Sequence, residues 1–308
     1  MIRFFSIRLL RALVTVLAVM TFAFVVLRMS GDPAQVLLGP DVPQETVDAF
    51  RTAWGLDRPL WQQYAAYIVQ IFTGDFGISM RDRSPALELV LERLPATLQL
   101  TVPALLLQLG IGIPAGIYAA LHRGSLIDRG VILLAVTGFT IPSFVLGLVL
   151  VLLFAVMWGL LPSGGFGTWW HGILPTITIS IGGIGILARF SRSAMIEVLG
   201  QPYIRTASAK GVTWRQVISR HALPNAAVPI VTIVGFMVGS LVAGAVVTET
   251  IFSWPGIGRL LIVSVSNRDL AVVQCILLMI AAVMVVSNLI VDLLYGWLDP
   301  RLRSQAAH

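Results

Sequence analysis

The stretch LPATLQLTVPALLLQLGIGIPAGIYAAL, Leu94 to Leu121, contains no Asp, Glu, Lys, Arg or His. A helix rises about 1.5 Å per residue, so roughly 20 apolar residues cross a hydrocarbon layer of about 30 Å. This stretch exceeds that length. Gly130 to Trp170 is equally free of charge. Soluble domains carry charge on about a quarter of their residues, whereas this 308-residue chain is 12% charged and 57% hydrophobic. The fold class read from these runs is an all-α, polytopic membrane protein.

Six spans are expected: Leu9–Leu27, Thr97–Leu121, Gly130–Trp158, Gly172–Ala188, Ala222–Thr248 and Leu270–Val291. The first follows Arg3, Arg8 and Arg11 and is too long for a signal-peptide core. No small-x-small cleavage site comes after it, so it reads as a retained anchor. The third exceeds one crossing and closes on Pro162, Gly164, Gly165 and Gly167, a loop that returns toward the interface.

Orientation follows from basic residues in the short loops. Arg3, Arg8, Arg11, Arg123, Arg129, Arg189, Arg192, Arg205, Lys210, Arg215, Arg220, Arg301 and Arg303 make thirteen of the 21 Lys and Arg, and all fall on one set of segments. Segment 31–96 holds nine acids (Asp32, Asp41, Glu45, Asp48, Asp57, Asp75, Asp82, Glu88 and Glu92) against five arginines. Both termini are therefore expected in the cytoplasm. The division is 1–30 for the N-terminal tail and first helix, 31–96 for the extracytoplasmic segment, 97–300 for a five-helix core, and 301–308 for a cytoplasmic tail. A cytoplasmic loop, 190–223, lies inside the core.

Within 31–96, Asp41 is placed to cap a helix with Pro43 in its first turn and Val47, Phe50 and Trp54 on one face. Leu60, Tyr64, Ile68 and Phe72 repeat every four residues, a second amphipathic helix. Ser84-Pro85 opens a third, leading through Leu87, Val90, Leu91 and Leu94 into the second span. A folded cap and a space-filling loop both remain open readings.

The chemistry of several classes is missing. There is no Gly-x4-Gly-Lys-Ser/Thr phosphate loop, no His-Glu-x-x-His and no Gly-x-Ser-x-Gly. Gly256-Ile257-Gly258 has Leu261 where a dinucleotide fingerprint needs its third glycine. Cys275 is alone, so neither a disulfide nor a metal cluster is indicated. The net charge of +6 flanks apolar segments and points to topology, not to nucleic acid. No catalytic, cofactor-binding or metal residue is assigned. Charges near span ends are Arg189, Glu249 and Asp292, read as interfacial anchors, and the lack of ionisable relays disfavours an ion-coupled secondary transporter. Pro103, Pro114, Pro142, Pro175 and Pro229 interrupt spans, and Gly112-x3-Gly116 and Gly235-x3-Gly239 suit close helix approach.

Between the fourth and fifth spans, Thr206, Ala207, Ser208 and Ala209 make a short helix with a narrow face, and Gly211 is able to take positive φ and turn the chain. A second amphipathic stretch puts Trp214, Val217 and Ile218 on one side and Arg215, Gln216 and Arg220 on the other. Pro224 opens the next span. Such a projecting helix is shaped to enter a groove on another protein.

Here the chain resembles the permeases of bacterial ABC importers, whose signature runs Glu-Ala-Ala, three residues, Gly, nine residues, Ile-x-Leu-Pro. This sequence has Arg205-Thr206-Ala207, Gly211 and His221-Ala222-Leu223-Pro224 with the same spacing. Arg205 and His221 depart from the general signature in the manner of the dipeptide/oligopeptide/nickel branch. Gly31-Asp32-Pro33, Gly55-Leu56-Asp57-Arg58-Pro59-Leu60, Gln63-Tyr64, Gly74-Asp75-Phe76-Gly77 with Ser79, Phe252-Ser253-Trp254-Pro255-Gly256-Ile257-Gly258, Arg268-Asp269 and Asp299-Pro300-Arg301 are similar to the B-type subunit of that branch.

The resemblance implies a type I ABC importer permease fold with six transmembrane helices in the bacterial inner membrane. It also implies partners: a second homologous permease, two ATP-binding domains (separate or fused), an extracytoplasmic substrate-binding protein and a peptide-like solute. ATP and Mg would be bound by the ATPase partners and not by this chain. Coupling residues carried over are Tyr203, Arg205, Thr206, Ala207, Ala209, Lys210, Gly211, His221, Leu223 and Pro224. Pathway candidates, chosen as groups able to hydrate or shield a zwitterion, are Thr137, Phe139, Pro142, Phe144, Thr232, Phe236 and Ser240. Nickel or another small solute is the runner-up cargo, although the spans hold no histidine cluster.

Overall fold

The structure is a computed structural model that describes residues 2–29, 31–39 and 41–298. Asp299-Pro300-Arg301, Arg303 and the 301–308 tail lie outside the described residues, as do the side chains of Arg3, Arg8 and Asp292. Among the described residues there is no strand, only one isolated bridge between Ile78 and Pro85.

Fourteen α-helices are defined: α1 Ile2–Met29, α2 Pro33–Leu38, α3 Gln44–Ala53, α4 Leu60–Phe72, α5 Ala86–Leu107, α6 Ile113–Leu121, α7 Leu126–Thr140, α8 Ser143–Leu150, α9 Ile173–Leu199, α10 Pro202–Ala209, α11 Trp214–Val217, α12 Leu223–Ile251, α13 Ile257–Ser266 and α14 Leu270–Leu298. Four helical stretches are long and apolar enough to cross a membrane: Ala86–Leu121, Trp169–Leu199, Trp214–Leu241 and Leu270–Val291. The pair Leu126–Thr140 and Ser143–Met157 makes a fifth if counted as one broken span, and α1 carries a shorter apolar run, Leu13–Val26.

The expected straight crossing Gly130–Trp158 is not observed. The chain bends by 99° between α7 and α8. Pro142 disfavours helical geometry in the residue before it, and Ile141 is extended at φ −70°, ψ 121°. Two π turns also precede prolines: Gln108–Gly112 before Pro114, and Ile218–Ala222 before Pro224. Each proline lacks the N–H that would close the preceding α turn, and the helix widens there.

α9 sits centrally, packed on α5, α6, α7, α8 and α12, while α14 closes against α1, α5, α12 and α13. The α6–α9 contact runs through Gly112 and Gly116. A Cβ on Gly116 would press into the Ala188 carbonyl, so only glycine allows this approach. α9 also extends eleven residues beyond the expected end at Ala188. Ser191, Ala194 and Met195 in this extension are buried.

The helices between α1 and α5 are folded together and pinned by polar contacts. Asp41 does not cap α3, whose N-cap is Pro43 with no side-chain bond, because the extended Pro43 already starts the first turn. Asp32 caps α2 instead, accepting from Ala34 N–H at 2.9 Å, and its other oxygen accepts from Arg51 Nε at 2.7 Å. That bond holds the Arg51 guanidinium above its ordinary pKa. Ser79 is fully buried and donates to the buried Asp269 carboxylate. Arg268 Nη1 donates to the Asp32 carbonyl at 3.3 Å. Three of the quoted motifs, Gly31-Asp32-Pro33, Ser79 and Arg268-Asp269, thus meet in one place.

Glu249 is not an interfacial anchor. It is fully buried and accepts from Thr97 Oγ1 at 2.7 Å and from Arg259 N–H at 3.1 Å. Thr97 Oγ1 in turn accepts from Ile257 N–H at 2.8 Å. A buried acid and a hydroxyl from two other helices thereby satisfy the first turn of α13, which has no side-chain cap of its own. Gly256 leaves the room this needs, since a Cβ there would overlap the Glu249 carboxylate.

Candidate functional site: a cytoplasmic helix and a cavity between spans

The segment between α9 and α12 starts where α9 ends at Gly200. Pro202 opens α10, and after Lys210 the chain turns at Gly211 with φ +78°. Gly211 N–H donates to Ser208 O at 3.0 Å and Val212 N–H to Ala207 O at 3.3 Å, closing the helix end. A Cβ on Gly211 would meet nothing within 4 Å. The glycine is required by backbone conformation and not by crowding.

Ile204 and Ala207 turn inward. They join Ala120 of α6, Ala194 and Met195 of α9, Val217 of α11, and Ala226 and Ile230 of α12 in one apolar cluster. Tyr203, Arg205, Thr206, Ala209, Lys210 and Gly211 remain exposed. His221 and Leu223 are half-buried and Pro224 is exposed. Of the ten carried-over positions, Ala207 alone is buried in the chain's own core. Trp214 is 55% exposed, not packed beside Val217 as expected. Side chains lean toward the N terminus of their helix, and Trp214, first in α11, has no preceding turn to lie on.

One ion pair braces this end. Arg192 Nη2 donates to Asp128 Oδ2 at 2.8 Å, and the same oxygen accepts from Gly124 N–H at 2.9 Å. Ser125 Oγ accepts from Asp128 N–H at 3.2 Å and caps α7. The capping spacing Ser125-x-x-Asp128 is visible in the sequence, but its arginine partner lies 64 residues away.

Between the π turn of α5–α6, the α7–α8 break, α9 and α12 is a cavity of about 320 Å³. Phe139, Pro142 and Ser240 line it; Thr137, Phe144, Thr232 and Phe236 do not. Phe144 and Phe236 face outward, and Thr232 Oγ1 donates to Val228 O at 3.1 Å. Two lining residues were missed from the sequence. Gln108, 2% exposed, donates from Nε2 to Ile179 O at 3.0 Å and leaves Oε1 without a partner. Thr248, 1% exposed, leaves Oγ1 without one. Buried polar atoms are nearly always paired, and these two exceptions lie on one cavity. Gln108 is one of only two amides in the uncharged run Leu94–Leu121, which was the available signal. Among the described residues no cluster of three His, Cys, Asp or Glu is placed to hold a metal.

Residues 112–304 match the family described as binding-protein-dependent transport system inner membrane component, and residues 1–101 match the N-terminal part of such components. The chain is 41% identical over 319 residues to the dipeptide transport system permease protein DppB of Escherichia coli K12, covering 93% of this chain and 94% of that protein. It is 41% identical over 288 residues to the glutathione transport system permease protein GsiC of Salmonella typhi, covering 94% of each. Among solved structures it is similar in fold to a chain of the inward-facing MetNI methionine ABC transporter. The TM-score is 0.54 at 19% identity, covering 68% of this chain and 96% of that one.

Proposed function

The chain belongs to the family of binding-protein-dependent transport system inner-membrane components and is an ABC importer permease of the inner membrane, and we propose that it forms half of the translocation pathway for di- and oligopeptides or similar small solutes. The peptide reading is supported by the names of its relatives, one a dipeptide and one a glutathione permease. The unpaired Gln108 Oε1 and Thr248 Oγ1 suit the same reading, as acceptors for the ammonium or amide N–H of a peptide. Phe139, Pro142 and Ser240 complete that surface.

The observation that carries the mechanism is the two-faced α10. Its inner face, Ile204 and Ala207, packs beside α11 and joins residues of α6, α9 and α12 in one apolar cluster. Its outer face, Tyr203, Arg205, Thr206 and Ala209, is free to enter a groove on an ATP-binding subunit. Displacement of α10 is then passed through α11 and this apolar cluster to α6, α9 and α12, the last two of which line the cavity. ATP and Mg belong to the two ATP-binding domains, a second permease completes the pathway, and a substrate-binding protein delivers solute on the external side. Both termini and α10 face the cytoplasm. The purified chain should hydrolyse no ATP, while the assembly with partners should show ATPase stimulated by loaded binding protein and concentrate peptide in liposomes. Accumulation of peptide by this chain alone under an ion gradient would replace this reading with an ion-coupled carrier.

A further inference from the structure

A second cavity, about 490 Å³, lies on the external side between the outer end of α1, helix α4, the loop after it and the start of α14. It is remote from the pathway cavity and shares no lining residue with it. Three of its lining side chains carry buried polar atoms without a hydrogen-bond partner: Arg28 Nε, Gln63 Oε1 and the Tyr67 hydroxyl. Tyr67 is only 9% exposed.

The sequence put Tyr67 on no motif, and Gln63 only within a family resemblance. α4 presses Tyr67 against Met20 and Phe24 of α1 and Leu278 of α14. Tyr64 finds a partner there, its hydroxyl lying 2.7 Å from Thr21 Oγ1, whereas Tyr67 finds none. Arg28 stacks its guanidinium 5.6 Å from the Phe24 ring centre, which orients the head without satisfying Nε–H. Gln63 is fixed by its amide nitrogen, which donates to Arg58 O at 2.6 Å, so its oxygen is held in place.

The charges on this wall are Arg28, Arg58 and Asp75. Asp75 Oδ1 accepts from Gly77 N–H at 2.9 Å; two cations against one acid leave the surplus positive, and the Asp32 carboxylate that acts on Arg28 is itself paired with Arg51. Two fixed donors beside a positive surplus fit an oxyanion, and arginine with phosphate is the strong form of that contact. Gln63 Oε1 awaits a donor, such as the hydroxyl or ammonium that accompanies the phosphate in a phospholipid headgroup. The position agrees: α1 leaves the membrane here, and α4 exposes Trp61, Val69 and Phe72 at 70%, 61% and 68%, the composition of a helix seated at a membrane interface. We propose that this cavity binds a phosphate oxyanion, carried by an outer-leaflet phospholipid or by free phosphate.

The test uses the full-length chain, delipidated in a maltoside detergent. It is titrated separately with short-chain phosphatidylglycerol and with inorganic phosphate at constant ionic strength. Binding is read as retained adducts in native mass spectrometry and as a rise in Tm. Tyr67→Phe, which removes only the hydroxyl, should weaken binding about tenfold, one hydrogen bond's worth. Arg28→Gln should weaken it about a hundredfold. A saturable effect of either ligand that both variants lose supports the site, and the effective ligand names the source. Saturable binding equal in wild type and Tyr67→Phe, or no saturable binding of either ligand, overturns it.

Discussion

At the cytoplasmic end, α10 is held by Ile204 and Ala207 sunk in an apolar cluster. At the opposite end, the segments are held by acids: the buried Glu249 on Thr97 and Arg259, the buried Asp269 on Ser79, and the half-buried Asp32 on Arg51. Apolar contact is non-directional and tolerates sliding. A carboxylate hydrogen bond weakens steeply with misalignment. The external frame thus resists relative motion, and α10 accepts it. An importer driven through α10, as proposed, would use this asymmetry, a compliant socket at one end and a fixed rim at the other. The one directional network at the α10 end, Asp128 with Arg192, ties α7 to α9 and leaves α10 out.

Breaking the rim should have the largest effect. Glu249→Ala leaves N–H groups of the α13 first turn and the Thr97 hydroxyl unpaired in a buried site, a loss on the order of 3 kcal/mol. The Tm of the purified protein should fall clearly, and an unchanged Tm would mean that the acid does not hold the corner. Asp128→Ala comes next, about 2 kcal/mol for a charged group accepting several bonds, with Tm again the readout and Asp128→Asn recovering part of it.

Gly211 sharpens the contrast at the compliant end. Any Cβ at its φ of +78° costs about 1 kcal/mol. Open space around that Cβ means that neither Gly211→Ala nor Gly211→Asp meets a clash, so both should lower Tm only modestly. Peptide uptake should nevertheless fall much further in Gly211→Asp, because a negative charge at the α10 C terminus opposes its dipole and meets the partner's surface. Equal uptake by the two variants would remove the partner contact from the argument.

Much of the fold was legible because uncharged runs have only one physical use. Gly211 was legible because positive φ selects glycine. The α7–α8 break was half-written: Pro142 is visible, but Pro95, Pro103 and Pro229 sit inside unbroken helices, so packing decides which proline bends the chain. The split of Thr206 outward and Ala207 inward was hidden, because eight residues give too few turns for periodicity to separate two small side chains. Glu249 was misread because its partner Thr97 lies 152 residues away, and nothing local distinguishes a buried cap from an anchor. Gln108 and Thr248 share a cavity only through the packing of α5, α9 and α12.

The most direct measurement of the central claim, that the outer face of α10 meets an ATP-binding subunit, is site-specific cross-linking. In a Cys275→Ser chain assembled with its partners, single cysteines are placed at Ala209, exposed, and at Ala207, buried. A maleimide–benzophenone reagent, attached through the thiol and then photoactivated, should join Ala209→Cys to the ATP-binding subunit, with a yield that changes on ATP addition, and should leave Ala207→Cys unlinked. Absence of any link from Ala209, with normal assembly, would contradict the account.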